Sequence, residues 1–245
     1  MWLIIITIIV LVLLAVFRLT RSMSVPRDSS REHPDTQASI IAYHHVSRWP
    51  IFYLERAVIL NALSKRVPSG IMVDIGSGPG YLAADINQKY RGLKIVGLDN
   101  SILAETLAKQ AWHKEINGLE FVIADAHQLP VASASLDFVV SSLSLHHWEN
   151  ASTVFNEVMR TLKPGGQLLI FDLKRDAPAY FYFALVIGQA IFAPRAIKNT
   201  NGAIGSFWAA YTPAEINAIL SKMLLQDIQI KPSFGWMLIS GIKSE

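Results

Sequence analysis

Three observations predict an α/β fold built on a doubly wound parallel sheet. Apolar runs of strand length alternate with helix-period segments from Phe52 to Phe171. The first of those strands opens into a glycine-rich turn, Gly76, Gly78 and Gly80, that leads into a helix. Acidic residues Asp74, Asp99 and Asp125 recur at successive strand ends, where ligands sit in such sheets.

Each element has its own local reason. After Pro50, the residues Phe52, Leu54, Val58, Ile59 and Leu63 recur at helical spacing up to the breaker Pro68-Ser69-Gly70, predicting a helix ahead of the first strand. Strands are expected at Ile71 to Ile75, Lys94 to Leu98, Glu120 to Ile123, Leu136 to Ser141 and Gln167 to Phe171. Helices are expected at Tyr81 to Tyr90, Ile102 to Lys114 and Ala151 to Leu162. Thr212-Pro213-Ala214-Glu215 joins an N-cap threonine, a proline at the first helical position and a glutamate three residues after the cap, so a helix starts there and is expected to run to about Leu225. Two last strands, Asp227 to Ile230 and Trp236 to Ile242, flank a Pro-Ser-Phe-Gly turn.

Composition bounds the reading further. At 245 residues and 51% hydrophobic content, one sizeable core is expected, with appendages and no second globular domain. Zero cysteine excludes disulfides, thiolate metal sites and a thiol nucleophile. The formal charge is only +3. Much of the excess sits in Arg18, Arg21, Arg27 and Arg31, which argues for a membrane-flanking segment and against nucleic acid as a partner.

The glycine turn excludes two common ligand motifs. A G-x-G-x-x-G dinucleotide fingerprint would need glycine where Tyr81 stands, and the Gly-Lys-Ser/Thr ending of a P-loop is absent. The remaining pattern, Asp74 two residues before Gly76-Ser77-Gly78-Pro79-Gly80, resembles motif I of the class I methyltransferases that use S-adenosyl-L-methionine. Further blocks extend the resemblance to the ubiquinone/menaquinone-biosynthesis type of small-molecule methyltransferase. They are Ala124-Asp125-Ala126-His127-Gln128-Leu129-Pro130, Leu136-Asp137-Phe138-Val139-Val140, Leu145-His146-His147-Trp148 and Leu162-Lys163-Pro164-Gly165-Gly166.

The resemblance implies a seven-stranded Rossmann-like sheet whose last strand is antiparallel, spanning about residues 40–245. It implies that Asp74 lies near the methionine amino group of the cofactor, that Asp99 takes both ribose hydroxyls, and that Asp125 with Ala126 receives the adenine amino group. Gly76, Ser77, Gly78 and Gly80 would form the backbone cradle. Asn100 stands where relatives usually carry an apolar residue against adenine. The Pro-Gly-Gly block would be a structural turn into a strand.

Methyl transfer from a sulfonium is an in-line displacement, so the protein contributes positioning and, for an oxygen or carbon nucleophile, a base; no metal is expected. His146 is the candidate base, with a pocket-lining role for it and His147 as the other reading. Tyr43 or Trp49 is a candidate to close over the cofactor, in an opening segment that also holds His44 and His45. The Asn/Asp-Pro-Pro-Tyr/Phe motif of nucleobase N-methyltransferases is replaced by Ser141-Ser142-Leu143-Ser144, which argues against base methylation.

Two apolar segments bear on the acceptor. Trp2 to Phe17 carries no charge and is expected as a transmembrane anchor over residues 1–22. At ~1.5 Å per residue its 16 residues cover about 24 Å, enough with Trp2 and Arg18 at the interfaces. A signal peptide or a buried core helix is the alternative. The basic residues that follow place the amino terminus outside and the catalytic domain in the cytoplasm, as a single-pass membrane protein. Residues 23–39, polar and with two prolines, read as a flexible linker. Ala177 to Pro194 is uncharged and reads as a buried lid helix, an apolar wall or bilayer contact, or a second span. Together these features point to a membrane-anchored methyltransferase with a small lipophilic acceptor. The alternatives are protein side-chain methylation at the membrane and a non-catalytic cofactor-binding scaffold.

Overall fold

Seven strands form one sheet in the order β3-β2-β1-β4-β5-β7-β6. They are β1 (Ile71–Ile75), β2 (Lys94–Asp99), β3 (Leu119–Ile123), β4 (Leu136–Ser142), β5 (Leu162–Leu173), β6 (Leu225–Pro232) and β7 (Trp236–Lys243). The computed structural model describes residues 19–23, 25–33, 35–112 and 117–245. The expected anchor, Trp2 to Phe17, lies outside the described residues, as do His113 and Lys114 at the end of the expected second helix.

Strands β1 to β5 are mutually parallel, and β7 runs antiparallel to both β5 and β6, as the resemblance implied. Because strand side chains alternate, β1 sends Val73 and Ile75 to one face and Met72 to the other. On the first face they join Val154, Phe155 and Val158 of the helix Ala151–Thr161 and Ile216 and Leu220 of the helix Pro213–Leu220. On the second, Met72, Ile95, Phe138 and Leu169 pack against Ile59 and Leu63 of the helix Pro50–Ser64 and Leu82 and Ile86 of the helix Tyr81–Lys89. Both faces are covered, which is why the central strands read as unbroken apolar runs. A fully buried side chain such as Phe155 contributes roughly 1.5–3 kcal/mol by removal from water.

Several sequence expectations need correction. The helix expected from Thr212 to about Leu225 has its capping box, with Thr212 Oγ1 accepting from Glu215 N at 3.2 Å and Glu215 Oε2 accepting from Thr212 N at 2.8 Å. It ends at Leu220, and Leu225 already opens β6, because Leu225 pairs with Lys243. The strand expected to open at Gln167 begins at Leu162, with the Pro-Gly-Gly turn inside the β5 run. The partner of Leu136 is Leu162 and that of Phe138 is Gln167, so the intervening residues are looped out as an irregularity in the strand.

The segment expected as a flexible tether is bonded to the domain where it is described. Arg27 Nε donates to Ala209 O at 2.6 Å, its Nη2 donates to His146 O at 3.0 Å, and the guanidinium lies 4.2 Å over the Tyr211 ring. Residues Ser29–Arg31 form a short 3-10 turn, and the helix Gln37–Val46 starts at a capping box on Thr36 and Ser39. Polar composition concealed these contacts, since the partners are backbone carbonyls and side chains far along the chain. Ala177 to Pro194 contains the helix Ala179–Phe192, and among the described residues no helix is long and apolar enough to cross a membrane.

Candidate functional site

A cleft of about 1780 Å³ opens outside the carboxyl ends of the parallel strands, where the strand order reverses between β1 and β4. Single small-molecule pockets run to roughly 300–1,000 Å³, so this one has room for two molecules side by side.

Asp74 is at its floor. By strand alternation its side chain faces the same way as Met72, toward the layer of the helix Pro50–Ser64. It is 1% exposed, and neither carboxyl oxygen has a hydrogen-bond partner among the described residues. Burial, then the nearby Glu55 and Asp99, push its pKa up to about 8. An unpaired buried carboxyl is costly, so the two orphaned oxygens mark a place for a donor, and a cationic ammonium answers best.

The turn above Asp74 is fixed to β2. Gly76 N and Ser77 N both donate to Leu98 O, at 2.7 and 2.9 Å. Gly76 has φ +70°, and a Cβ there would lie 2.0 Å from Ser144 Oγ. Gly78 N donates to Asp99 Oδ2 at 2.8 Å, while Asp99 Oδ1 accepts from Ser101 N at 2.9 Å. Burial raises the Asp99 pKa, and these two backbone donors offset part of the rise. Each Asp99 oxygen keeps lone-pair capacity for one more donor. Asp125 is more exposed and stands on the rim, where its Oδ1 accepts from His127 N at 2.9 Å; that bond and the His127 ring hold its pKa below the ordinary range.

The structure thus brings Asp74, Gly76, Ser77, Gly78, Asp99, Asn100, Asp125, Ala126 and His146 to one cleft. Tyr43 and Trp49 also line it, and Tyr43 edges the turn, with its Cε1 3.8 Å from where a Gly78 Cβ would stand. Gly80 is the exception among the expected residues, since it does not line the cleft. At φ +79° it caps the following helix, and a Cβ would meet the Phe121 ring at 2.4 Å. Gly80→Ala is therefore expected to destabilise the fold by about 2–4 kcal/mol through left-handed strain plus overpacking, read as a lower urea midpoint.

His146 is clamped. It is 4% exposed, its Nδ1 lies 2.7 Å from Asp172 Oδ1, and its backbone N donates to Asp172 Oδ2 at 3.1 Å. Burial alone would lower the imidazole pKa, but the charge and hydrogen bond of Asp172 more than reverse this and Glu32 adds to the rise, so the net shift is upward. The remaining ring nitrogen, Nε2, faces Glu32 Oε1 at 3.6 Å, and His147 Nδ1 lies 3.1 Å from Glu32 Oε2. Against burial, the His147 hydrogen bond and the charges of both histidines hold Glu32 down to about 2. These three residues offer ligand atoms within 4.8 Å of one another, although Glu32 Oε1 already accepts Ser206 Oγ at 2.7 Å. Asp172→Asn should move the His146 titration midpoint to lower pH, measured by histidine ring NMR. Since the folded pKa is raised, the Asp172–His146 pair stabilises the protein at low pH and that stabilisation fades as pH rises through the folded value.

Sequence reasoning missed Glu55, Asp172 and Glu32. Burial lifts Glu55 to about 7, and the Ser142 hydroxyl donates to its carboxyl. A signal for Glu55 existed, because Phe52, Glu55, Ile59 and Leu63 follow 3-4-4 spacing and put one acid on an apolar stripe. Asp172 and Glu32 carry no local signal.

The sheet order and the glycine turn at the crevice are those of a methyltransferase-type α/β fold. Residues 73–170 match the family described as methyltransferase domain. Two curated relatives give the range of the likeness. The malonyl-[acyl-carrier protein] O-methyltransferase of Methylovorus sp. is 31% identical over 119 residues, covering 46% of this chain and 40% of that protein. The ubiquinone/menaquinone biosynthesis C-methyltransferase UbiE of Desulfotalea psychrophila is 30% identical over 114 residues, covering 46% of each. The chain therefore spans less than half the length of these relatives.

Among solved structures, a putative S-adenosyl-L-methionine-dependent methyltransferase of Methanococcus maripaludis superposes with a TM-score of 0.66 at 19% identity, covering 91% of this chain and 98% of that one. Haemonchus contortus phosphoethanolamine N-methyltransferase 2 in complex with S-adenosyl-L-methionine gives 0.65 at 17% identity, covering 86% and 58%. These likenesses carry the fold.

Proposed function

We propose that the protein is an S-adenosyl-L-methionine-dependent methyltransferase acting on a small lipophilic acceptor, held at a membrane by residues 2–17 with the domain on the cytoplasmic side. The observation that carries the cofactor reading is the Asp74 carboxyl, buried at the floor of the cleft with both oxygens unpartnered among the described residues. A methionine ammonium would supply the missing donors and the missing charge. Asp99 would take the ribose hydroxyls with the lone pairs its two backbone donors leave free, and Asp125 with Ala126 and Asn100 would meet the adenine at the rim. When bound, the sulfonium supplies an electrophilic methyl group.

The chain's own residues do the rest. Asp172 fixes the His146 ring through Nδ1 while Nε2 faces Glu32 Oε1 at 3.6 Å, so His146 would act as a base only from its neutral form, with Nε2 turned from Glu32 to the acceptor proton. Glu55, titrating near neutrality beside Ser142, is a second group able to hold a proton in the same cleft. Phe181, Leu185, Phe192, Phe234 and Trp236 line the cleft beyond these polar groups and favour an apolar acceptor. A relative named for ubiquinone/menaquinone biosynthesis is in keeping with that choice.

Calorimetry with S-adenosylhomocysteine is the first test. One site per chain is expected, and no heat at millimolar ligand would overturn the cofactor assignment. Removing residues 1–22 should shift the protein from the membrane fraction to the soluble fraction; a soluble full-length chain would refute the anchor.

A further inference from the structure

We propose that the exposed face of the helix Ala179–Phe192 lies on the bilayer surface, so that the apolar mouth of the cleft opens toward lipid. The inference rests on the anchoring part of the function proposed above and extends it to a particular surface.

The helix has no buried residue, although it is uncharged throughout and apolar except for Gln189 and its tyrosine hydroxyls. One side, with Phe181, Leu185, Gly188 and Gln189, lines the cleft, and Ala184 lies at the boundary between that side and the outward one. Tyr180, Phe183, Ala184, Ile187, Ala190 and Ile191 face outward at 3-1-3-3-1 spacing, a single helical stripe. Exposure of its large side chains, with neighbouring Phe192, runs from 42% at Tyr180 to 68% at Phe192. A surface helix normally turns a polar face to water, whereas this one is apolar on both sides.

What covers the stripe follows from where the amino-terminal segment joins the domain. Met23 N donates to Ala177 O at 3.0 Å, Ala179 N donates to Arg21 O at 3.2 Å, and Ser22 bridges to Pro178. The start of the helix is therefore tied to Arg21, only four residues after the apolar run ends at Phe17. Four residues reach at most about 14 Å. If residues 2–17 are in the bilayer, the stripe begins within that distance of it. Charge agrees with this placement, since Arg18 follows the apolar run and Arg195 follows the stripe, suited to anionic headgroups. Phe192 belongs both to the outward surface and to the cleft lining, as does Phe234, so the mouth is continuous with the exposed apolar surface. A lipophilic acceptor could then pass from the bilayer to the cleft without crossing water.

The absence of cysteine allows a single-site label in the full-length chain. Ile187→Cys on the stripe and Ala218→Cys on the exposed side of the helix Pro213–Leu220 each receive an environment-sensitive fluorophore. The proteins are then mixed with phosphatidylcholine/phosphatidylglycerol vesicles whose acyl chains carry nitroxide quenchers. Flotation with the vesicles reads the anchor separately from the label. The expected result is flotation of both proteins, with quenching and a blue shift at position 187 but not at 218. Flotation with equal, weak quenching at both positions would overturn the proposal while leaving the anchor standing. A blue shift at 187 that grows with protein concentration without vesicles would assign the stripe to a second copy and also overturn it. A chain that fails to float would refute the anchor, and this proposal with it.

Discussion

Asp99→Ala is expected to weaken S-adenosylhomocysteine binding by 100-fold or more while leaving the sheet folded. In the proposed complex the carboxylate accepts two ribose hydroxyls, and hydrogen bonds to a charged group contribute about 1.5–3 kcal/mol each, so losing both removes on the order of 10²–10⁴ in affinity. The side chain also accepts from Gly78 N and Ser101 N, so its removal leaves two backbone donors to find water. That costs about 1–3 kcal/mol in stability, a moderate drop in melting temperature. Asp99→Asn separates the two effects, because its amide oxygen can still accept from one backbone N–H while its NH₂ cannot accept from the ribose. Calorimetry and thermal melts on both variants read affinity and stability independently. Affinity of the alanine variant within threefold of the wild type would contradict the ribose assignment.

The second large effect concerns pH. Asp74 titrates at about 8 in the folded protein against an ordinary 3.8. Between those values the folded ligand-free protein holds a proton that the unfolded chain has released, so this group's contribution to stability falls as pH rises from about 4 through about 8. Binding of an ammonium selects the ionised carboxylate and must expel the proton. Affinity for S-adenosylhomocysteine should therefore tighten by about 10–50-fold between pH 6 and pH 8. Asp74→Asn should bind more weakly and lose most of that dependence, because it has no proton to release. An equal pH profile in wild type and variant, measured by calorimetry in matched buffers, would show that Asp74 does not meet the ligand's charge.

The features legible in the sequence are those encoded locally. Ile71–Ile75 was readable because five apolar-rich residues stand between Gly70 and the glycine turn, and the Thr212 cap because its partner is three residues away. Asp74, Asp99 and Asp125 were found because they end successive strands. The end of the last helix was misplaced because Met223 and Leu224 continue its apolar pattern, while pairing of Leu225 with Lys243 is a tertiary event. His146 could be named, but not its environment. Asp172 lies 26 residues further on, at the end of the neighbouring strand, and Glu32 arrives from a polar segment that composition alone marks as a tether. Glu55 was legible in principle as the one acid on an apolar stripe.

Transfer of a labelled methyl group tests directly whether the cleft methylates a lipophilic acceptor. Full-length protein is incubated with methyl-labelled S-adenosyl-L-methionine and either a membrane lipid extract or a protein fraction, and the label is counted in each. Label is expected in the lipid extract and absent from reactions with Asp99→Ala. Label confined to the protein fraction would contradict the lipophilic acceptor, and label in neither, with the cofactor bound, would contradict the enzymatic reading itself.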